Sequence, residues 1–238
     1  MNLRQVQQWN VTPREALQIQ EQVRTLVVPR GRLSRPKLVA GADAAFDLRA
    51  RLVYAAMVVL AYPGMEIVET VVSRDRLSFP YFPGLLSCRE APALLRAFSK
   101  LRHKPDVLFI DGHGLSHPRA AGIACHIGVL LDMPTIGCAK SRLVGSSREP
   151  GSRRGATAPL LGHDKQVIGA VVRTHDRIRP VFVSIGHRIG LAQAVGLTLA
   201  CGKGYRIPEP TRQADMLAER AKREAESCVG SAPRPSQA

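Results

Sequence analysis

The chain has 238 residues, of which 45% are hydrophobic and 22% are charged, the composition of a globular protein. No apolar run approaches the ~20 residues that cross a bilayer, and the amino terminus lacks the apolar core of a secretory signal. The 5 cysteines show no paired or C-x-x-C spacing, so we expect neither disulfides nor a zinc site, and a cytoplasmic location. The net charge of +15 suits a polyanion such as nucleic acid, although genome bias or solubility would also explain it.

The amino-terminal half of the chain predicts one helix followed by three strands. Residues 12–28 have amphipathic helical spacing, with Thr12 as the cap and Pro13 at the first helical position. Short turns separate the next three apolar runs, which predict strands at 37–47, 52–62 and 67–74. Strands this close in sequence predict an antiparallel meander.

Strand and helix patterns alternate between residues 106 and 140, which favours a parallel segment with right-handed crossovers. The predicted elements of this half are strands at 106–111, 134–140, 166–174 and 180–186, and helices at 118–132, near 189–200 and near 211–226. Residues 145–162 are rich in Gly, Ser and Arg and predict a loop. We expect one α/β domain over residues 1–228 and a disordered tail at 229–238.

Two acidic residues lie where the pattern predicts burial. Alternation in "VAGADAAFD" places Asp43 in the middle of a strand among small neighbours, which leaves room for a ligand. Asp111 ends the apolar strand "DVLFID" and precedes a Gly-His-Gly turn. Two desolvated carboxylates that lie close together share a proton or hold a hard divalent cation. The alternatives are a strand-end turn residue for Asp43 and a turn-capping side chain for Asp111.

Two further acids have patterns that allow more than one interpretation. "SCRE" matches a capping box of Ser87 and Glu90, but Pro92 makes the start of that helix ambiguous. Helical spacing also places Glu90 at the head of a buried stripe, which favours a functional role. Asp215 borders the apolar stripe of the last predicted helix, and a solvated helix residue fits that position equally well.

Four blocks in unbroken order resemble the endonuclease V family of deoxyinosine-directed repair nucleases. They are "VAGADAAFD", "FPYFPGLLSCREAP", "DVLFIDGHGLSHPRAAGIACHIGVLLDMPTIGCAKSRLVG" and "KGYRIPEPTRQAD", within residues 10–222. The resemblance implies a ribonuclease H-like α/β fold, with a mixed sheet of meander and parallel strands flanked by helices. It also implies a DNA repair enzyme that cleaves the second phosphodiester bond 3′ to deoxyinosine, leaving 3′-hydroxyl and 5′-phosphate ends.

The same resemblance implies a set of catalytic residues. Asp43, Glu90 and Asp111 match the metal-binding carboxylates of the family, and Asp215 matches a position that is histidine or aspartate among relatives. The implied cofactor is Mg²⁺, with Mn²⁺ as a substitute, and the implied chemistry is metal-assisted hydrolysis. Lys140 matches a family lysine near the scissile phosphate, whereas the sequence without the resemblance favours an exposed loop lysine.

The segment Pro80, Tyr81, Phe82 and Pro83 matches the wedge of the family, which enters the duplex where the target base leaves. Its two prolines restrict the backbone, so the turn presents both aromatic rings at low entropic cost. The alternative is a turn whose aromatic rings pack on the core. The family usually has an aliphatic residue where this chain has Phe82.

The resemblance also implies residues that hold the extruded base and the DNA backbone. The positions that match base-pocket residues are Gly84, Leu86, Gly112 and Gly114. His117 is a candidate for support of the site, or else a histidine at a helix start. Arg148, Arg153 and Arg154 are candidate phosphate contacts, or else solvated loop residues.

Two alternatives remain beside the expected partner and activity. The expected partner is deoxyinosine-containing DNA, with no membrane, and we expect a monomer. Inosine-containing RNA is an alternative substrate, because reading of the 2′-hydroxyl depends on loop geometry. A non-catalytic nucleic-acid-binding relative is a further alternative, although the three core carboxylates are all present.

Overall fold

A computed structural model describes residues 9–230, in which eight strands and five helices form three layers. The strands are β1 (Leu38–Asp47), β2 (Leu52–Ala61), β3 (Ile67–Arg76), β4 (Val107–Ile110), β5 (Thr135–Ala139), β6 (Thr157–Leu161), β7 (Val167–Val172) and β8 (Val181–His187). The helices are α1 (Pro13–Leu26), α2 (Leu86–Ser99), α3 (Ile123–Leu131), α4 (Leu191–Ala200) and α5 (Glu209–Gly230). All eight strands join one sheet in the order β3-β2-β1-β4-β5-β8-β7-β6.

The predicted meander is confirmed, since β1 pairs with β2 and β2 with β3, both antiparallel. Strand β2 reads as a nearly continuous apolar run because both of its faces are covered, and its residues 53–60 are all buried. Strand β3 lies at the edge of the sheet and is largely exposed, which explains its many charged residues.

The parallel segment is also confirmed and places two partly buried aspartates side by side. β4 pairs in parallel with β1 on one side and with β5 on the other. In the β1–β4 register Ala42 is opposite Ile110, and the Asp111 N–H continues the ladder to the Ala42 carbonyl at 3.1 Å. The next residue of each strand is therefore an aspartate, Asp43 or Asp111, on the same face of the sheet.

Helices cover both faces of the sheet. Ala214 of α5 packs with Val39, Val58 and Phe109 in the core on one face. Leu94 of α2 belongs to the core on the opposite face, which also includes α3 residues. Within residues 9–230, the structure contains no helix with the length and hydropathy of a membrane span.

Three boundary predictions are wrong, each for a local reason. The predicted loop 145–162 contains strand β6, whose "TAPLL" sequence includes Pro159 and is accommodated at the sheet edge. Helix α3 begins at Ile123 and not at 118, because residues before its N-cap, Gly122, form turns. Helix α5 begins at Glu209 and continues to Gly230, whereas the predicted helix was near 211–226; residues 231–238 lie outside the described part of the chain.

The two predicted helix caps have different outcomes. Thr12 caps α1 in a complete capping box with Glu15, as expected, and Pro13 occupies the first helical position. The capping box predicted at Ser87 is wrong, because α2 already begins at Leu86 and Ser87 lies inside the helix without a side-chain capping bond. Glu90 is therefore free of the capping role that its spacing suggested.

Candidate functional site

Three carboxylates from separate elements meet on the α5 face of the sheet. Asp43 lies on β1, Asp111 follows β4, and Asp215 lies on α5. One oxygen atom from each lies within 4.8 Å of the other two. The strand register brings the first pair together, and the position of α5 adds the third.

Gly41 explains why α5 lies close enough to the sheet for Asp215 to reach this cluster. A Cβ atom at Gly41 would lie 1.8 Å from the Pro210 carbonyl oxygen, at the start of α5. A larger residue would therefore push the helix away from β1. The space that the sequence predicted beside Asp43 does not extend to Gly41, because the first turn of α5 lies there.

Burial and mutual repulsion oppose the ionisation of these carboxyl groups. Burial first, and then the charge of the nearby Asp111, raise the pKa of Asp43 to about 8, although the Ala44 N–H donates to its Oδ1 at 2.8 Å and opposes the rise. Burial also raises the pKa of Asp111, and Lys140 partly offsets this effect. Three hard oxygen ligands, whose combined negative charge a single lysine offsets only in part, fit a divalent cation such as Mg²⁺.

Lys140 lies directly against this cluster. Its Nζ is 2.6 Å from Asp111 Oδ2 and 2.9 Å from Asp215 Oδ1. Burial opposes its charge, but the bonds to these two aspartates outweigh that effect and raise the lysine pKa. Arg206 donates to the Lys140 carbonyl and, at 2.9 Å, to the Pro180 carbonyl, and so fixes the backbone that presents the lysine.

Glu90 lies on α2 beyond the three-oxygen cluster. Its side chain is buried, and burial followed by the charges of Asp43 and Asp111 raises its pKa well above the ordinary value. Within the described part of the chain, the group with all oxygens inside 4.8 Å contains the three aspartates and not Glu90. Glu90 therefore interacts electrostatically with the cluster from the side of α2.

A cavity of about 210 Å³ lies close to the cluster, between the start of α2 and the start of α3. Its lining includes the expected Tyr81, Phe82, Gly84, Leu86, Gly112 and His117. The residues that the sequence did not single out for this cavity are Gln20, Ser87, His113, Gly122, Ile123, Ser141, Arg142 and Leu143. Gly114 is not among the lining residues and packs against the Ile185 carbonyl of β8, as its donation to Ser184 Oγ at 2.8 Å also shows.

The Pro80–Pro83 turn presents its aromatic rings to solvent. Tyr81 is 69% exposed and Phe82 is 41% exposed, whereas the preceding Phe79 is buried. The alternative in which both rings pack on the core is thus not what the structure shows. Tyr81 and Phe82 together form an exposed aromatic tip. The Arg89 guanidinium lies 5.8 Å from the centroid of the Tyr81 ring and 4.6 Å from that of the Phe46 ring, and so supports this tip.

His117 supports the cavity wall as a neutral ring. Burial and the neighbouring Arg119 lower its pKa to about 4. Because the Arg119 backbone N–H donates to Nδ1 at 3.2 Å, the ring proton lies on Nε2, which donates to the Gly84 carbonyl at 3.0 Å. Gly84 has a φ of +78°, a conformation that favours glycine.

The three predicted phosphate-binding arginines have different surroundings. Arg148 and Arg153 are exposed on the loop before β6. The Arg154 guanidinium donates to the Leu199 carbonyl at 2.7 Å, near the end of α4, so one of its faces is already engaged. Within residues 9–230, none of these three side chains forms a hydrogen bond or an ion pair with the carboxylate cluster.

The fold and the site together define a strongly basic α/β protein with an acidic metal-type cluster beside a cavity. The family model for endonuclease V matches residues 21–216, so the chain belongs to the endonuclease V family. It is 49% identical to endonuclease V of Roseiflexus castenholzii over 90% of this chain and 95% of that protein. The family resemblance and the ribonuclease H-like mixed sheet are thereby confirmed.

Solved structures of the family share this architecture. Endonuclease V from Streptomyces avermitilis superposes with a TM-score of 0.87 at 42% identity, covering 92% of this chain and 96% of that one. Endonuclease V from Ciona intestinalis has a TM-score of 0.80 at 29% identity, covering 89% and 98%. The Ciona protein was crystallised in complex with a 24mer DNA containing an inosine followed by a ribo-adenosine.

Proposed function

We propose that this protein is a DNA repair endonuclease that cleaves the second phosphodiester bond 3′ to deoxyinosine and leaves 3′-hydroxyl and 5′-phosphate ends. The observation that carries the proposal is the carboxylate cluster of Asp43, Asp111 and Asp215 beside a cavity with an exposed aromatic tip. Membership of the endonuclease V family and the inosine-containing complex of the Ciona relative support it. In this proposal the protein acts as a cytoplasmic monomer.

The three aspartates would hold Mg²⁺, for which Mn²⁺ would substitute, and Glu90 would complete the site from α2. The fit rests on the grouping of three carboxylate oxygens within 4.8 Å and on the raised pKa values of Asp43 and Asp111. When bound, the cation would supply Lewis-acid stabilisation of charge on the phosphate and on the leaving oxygen. Deprotonation of Asp43 is required first, because burial favours its protonated form.

Lys140 would stabilise the negative charge that develops on the phosphate. Its Nζ already contacts two of the cluster carboxylates, so a phosphate at the cluster would lie within reach of the ammonium group. The hydrogen bonds that Arg206 donates to the Lys140 and Pro180 carbonyls hold the lysine in that position before the reaction, so it does not have to move during it. Exposed Arg148 and Arg153 are proposed to contact phosphates farther along the DNA.

The cavity would take the extruded hypoxanthine while Tyr81 and Phe82 fill the gap in the duplex. Exposed rings next to the cavity can stack on the bases that flank the gap and offset the lost stacking. Backbone groups of Gly84, Leu86 and Gly112 would contact the base. Hypoxanthine lacks the exocyclic amine of guanine, so a narrow cavity without a partner for that amine discriminates between the two bases.

The test compares three labelled nucleic acids with the same sequence: a DNA duplex with one deoxyinosine, the same duplex with deoxyguanosine, and an RNA with one inosine. Each is incubated with Mg²⁺ or with chelator. The proposal predicts Mg²⁺-dependent cleavage of the deoxyinosine DNA alone or in preference to the other two. Equal cleavage of the deoxyguanosine duplex would contradict reading of the base.

An inosine-specific endoribonuclease is the second candidate function. The Ciona complex favours it, because the nucleotide that follows the inosine there is a ribonucleotide. Preferential cleavage of the RNA in the same comparison would be consistent with the proposed metal site and would identify inosine-containing RNA as the substrate. Binding of all three without any cleavage would make the protein a nucleic-acid-binding relative that lacks catalysis.

A further inference from the structure

Three side chains converge on a single backbone carbonyl between the aromatic tip and α2. The Gly84 carbonyl oxygen accepts from Gln20 Nε2 at 2.8 Å, from Arg119 Nη2 at 2.8 Å and from His117 Nε2 at 3.0 Å. Gly84 directly follows the Pro80–Pro83 turn and comes just before the helix that carries Glu90. Because a carbonyl has two lone pairs, three donors constrain its position unusually well.

Gln20 is the donor that also reaches the opposite wall of the cavity. It lies on α1 and is 1% exposed. Its Nε2 contacts the Ala121 carbonyl at 3.4 Å as well as that of Gly84, and its Oε1 accepts from Arg119 Nε at 2.6 Å. Gly84 lines one side of the cavity, and Ala121 precedes Gly122, which lines the other. One buried amide therefore ties both sides together.

We propose that Gln20 is a positioning residue that sets the separation of the two cavity walls and thereby contributes to discrimination between deoxyinosine and deoxyguanosine. This inference rests on the proposed function, in which the cavity receives the extruded base. The two bases differ in the exocyclic amine, so a small widening of the cavity reduces the penalty for guanine more than it alters contacts to hypoxanthine. Hydrogen bonds in a buried site restrict such widening.

An amide is the group that this position requires. It supplies two N–H donors for the two carbonyls and a carbonyl acceptor for Arg119, without placing a charge next to the cavity. The apolar packing of α1 is carried separately by Ala16 and Val23, which belong to two small core clusters. Loss of the amide therefore removes the connection between the walls and leaves the apolar contacts of the helix in place.

The test is the ratio of affinities for a deoxyinosine duplex and an otherwise identical deoxyguanosine duplex, measured by competition in chelator. Gln20→Met keeps the length of the side chain and removes all the hydrogen bonds of its amide group. Gln22→Met, on the exposed face of α1, is the matched control. The expected result is a ratio reduced roughly fivefold to tenfold in Gln20→Met, as for the loss of one or two buried hydrogen bonds, and unchanged in Gln22→Met. The ratio does not depend on the fraction of folded protein, so a purely structural role would leave it unchanged.

Hydrogen exchange of residues 84–88 in the free protein provides a second readout without DNA. Faster exchange there in Gln20→Met than in Gln22→Met is expected if the amide restrains the wall. Gln20→Glu retains the acceptor for Arg119 but lacks the donors, so it is expected to lower the ratio as well and serves if the methionine variant does not fold. A ratio within twofold of the wild type in the folded variants, with unchanged exchange, would overturn the inference. A wild type without preference for deoxyinosine would instead refute the proposed function.

Discussion

Replacement of Asp43 by asparagine should stabilise the metal-free protein while it abolishes the proposed activity. The folded-state pKa of Asp43 is raised from 3.8 to about 8, so between these values the folded protein retains a proton that the unfolded chain has lost. Stability therefore falls as the pH rises across this interval, and the loss is complete above the folded pKa. Asparagine does not ionise, and its Oδ1 can keep the bond from the Ala44 N–H.

The expected change in the free energy of unfolding follows from the interval between the ordinary pKa of aspartate and the working pH. From 3.8 to pH 7, at about 1.4 kcal/mol per unit, the ionisable side chain costs at most about 4 kcal/mol. The asparagine amide must itself be desolvated, so we expect a gain of about 2 kcal/mol. For a chain of this size that gain corresponds to a rise in melting temperature of about 4–8 °C.

The assay is urea unfolding of wild type and Asp43→Asn in chelator at pH 5, 6, 7 and 8. Asp164→Asn is the matched control, since Asp164 is exposed and its Oδ1 also accepts a backbone N–H, from Gln166. The stabilisation should be largest at pH 8, should shrink toward pH 5, and should be absent in the control. A variant that is no more stable than wild type at pH 8, or a difference independent of pH, would refute the electrostatic reasoning.

Three further predictions concern the lysine, the aromatic tip and the metal. Lys140→Ala should lower the single-turnover rate on deoxyinosine DNA roughly 100-fold while affinity in chelator stays the same, because a charge-stabilising group is lost; an unchanged rate would remove Lys140 from the chemistry. Tyr81→Ala should weaken binding of that duplex about tenfold and leave Mn²⁺ affinity unaltered; equal DNA affinity would make Tyr81 an ordinary surface residue. Mn²⁺ affinity of the wild type should rise between pH 6 and pH 8, since binding displaces a proton from Asp43, and a flat profile would contradict a protonated cluster.

The positions of Asp43 within a strand and of Asp111 at the end of a strand could be predicted, because they depend on local patterns. Their adjacency depends on the parallel pairing of β1 with β4, two strands that are distant in sequence. Asp215 could not be distinguished from a solvated helix residue, because its place depends on the approach of Pro210 to Gly41, a contact between distant segments. Family resemblance assigned it a role that helical periodicity alone did not.

The cavity residues also divide into those predictable from local sequence features and those that depend on contacts between distant segments. The Pro80–Pro83 turn and the glycines nearby were visible as local features, whereas the lining by Gln20 joins α1 to turns far along the chain. A polar residue on the buried face of α1, between Ala16 and Val23, was the available signal. Strand β6 was missed because Pro159 and the surrounding Gly, Ser and Arg resemble a loop until the neighbouring strand supplies its partner.

The most direct test of the proposed function maps the ends produced from a duplex with one deoxyinosine. Wild-type protein is incubated with Mg²⁺ or with chelator, both strands are labelled, and the product termini are identified. The prediction is a single nick at the second phosphodiester bond 3′ to deoxyinosine, with 3′-hydroxyl and 5′-phosphate ends, that chelator abolishes and Asp43→Asn does not produce. A nick at another position, or cleavage that persists in chelator, would contradict the assignment of the carboxylate cluster as a metal site for this reaction.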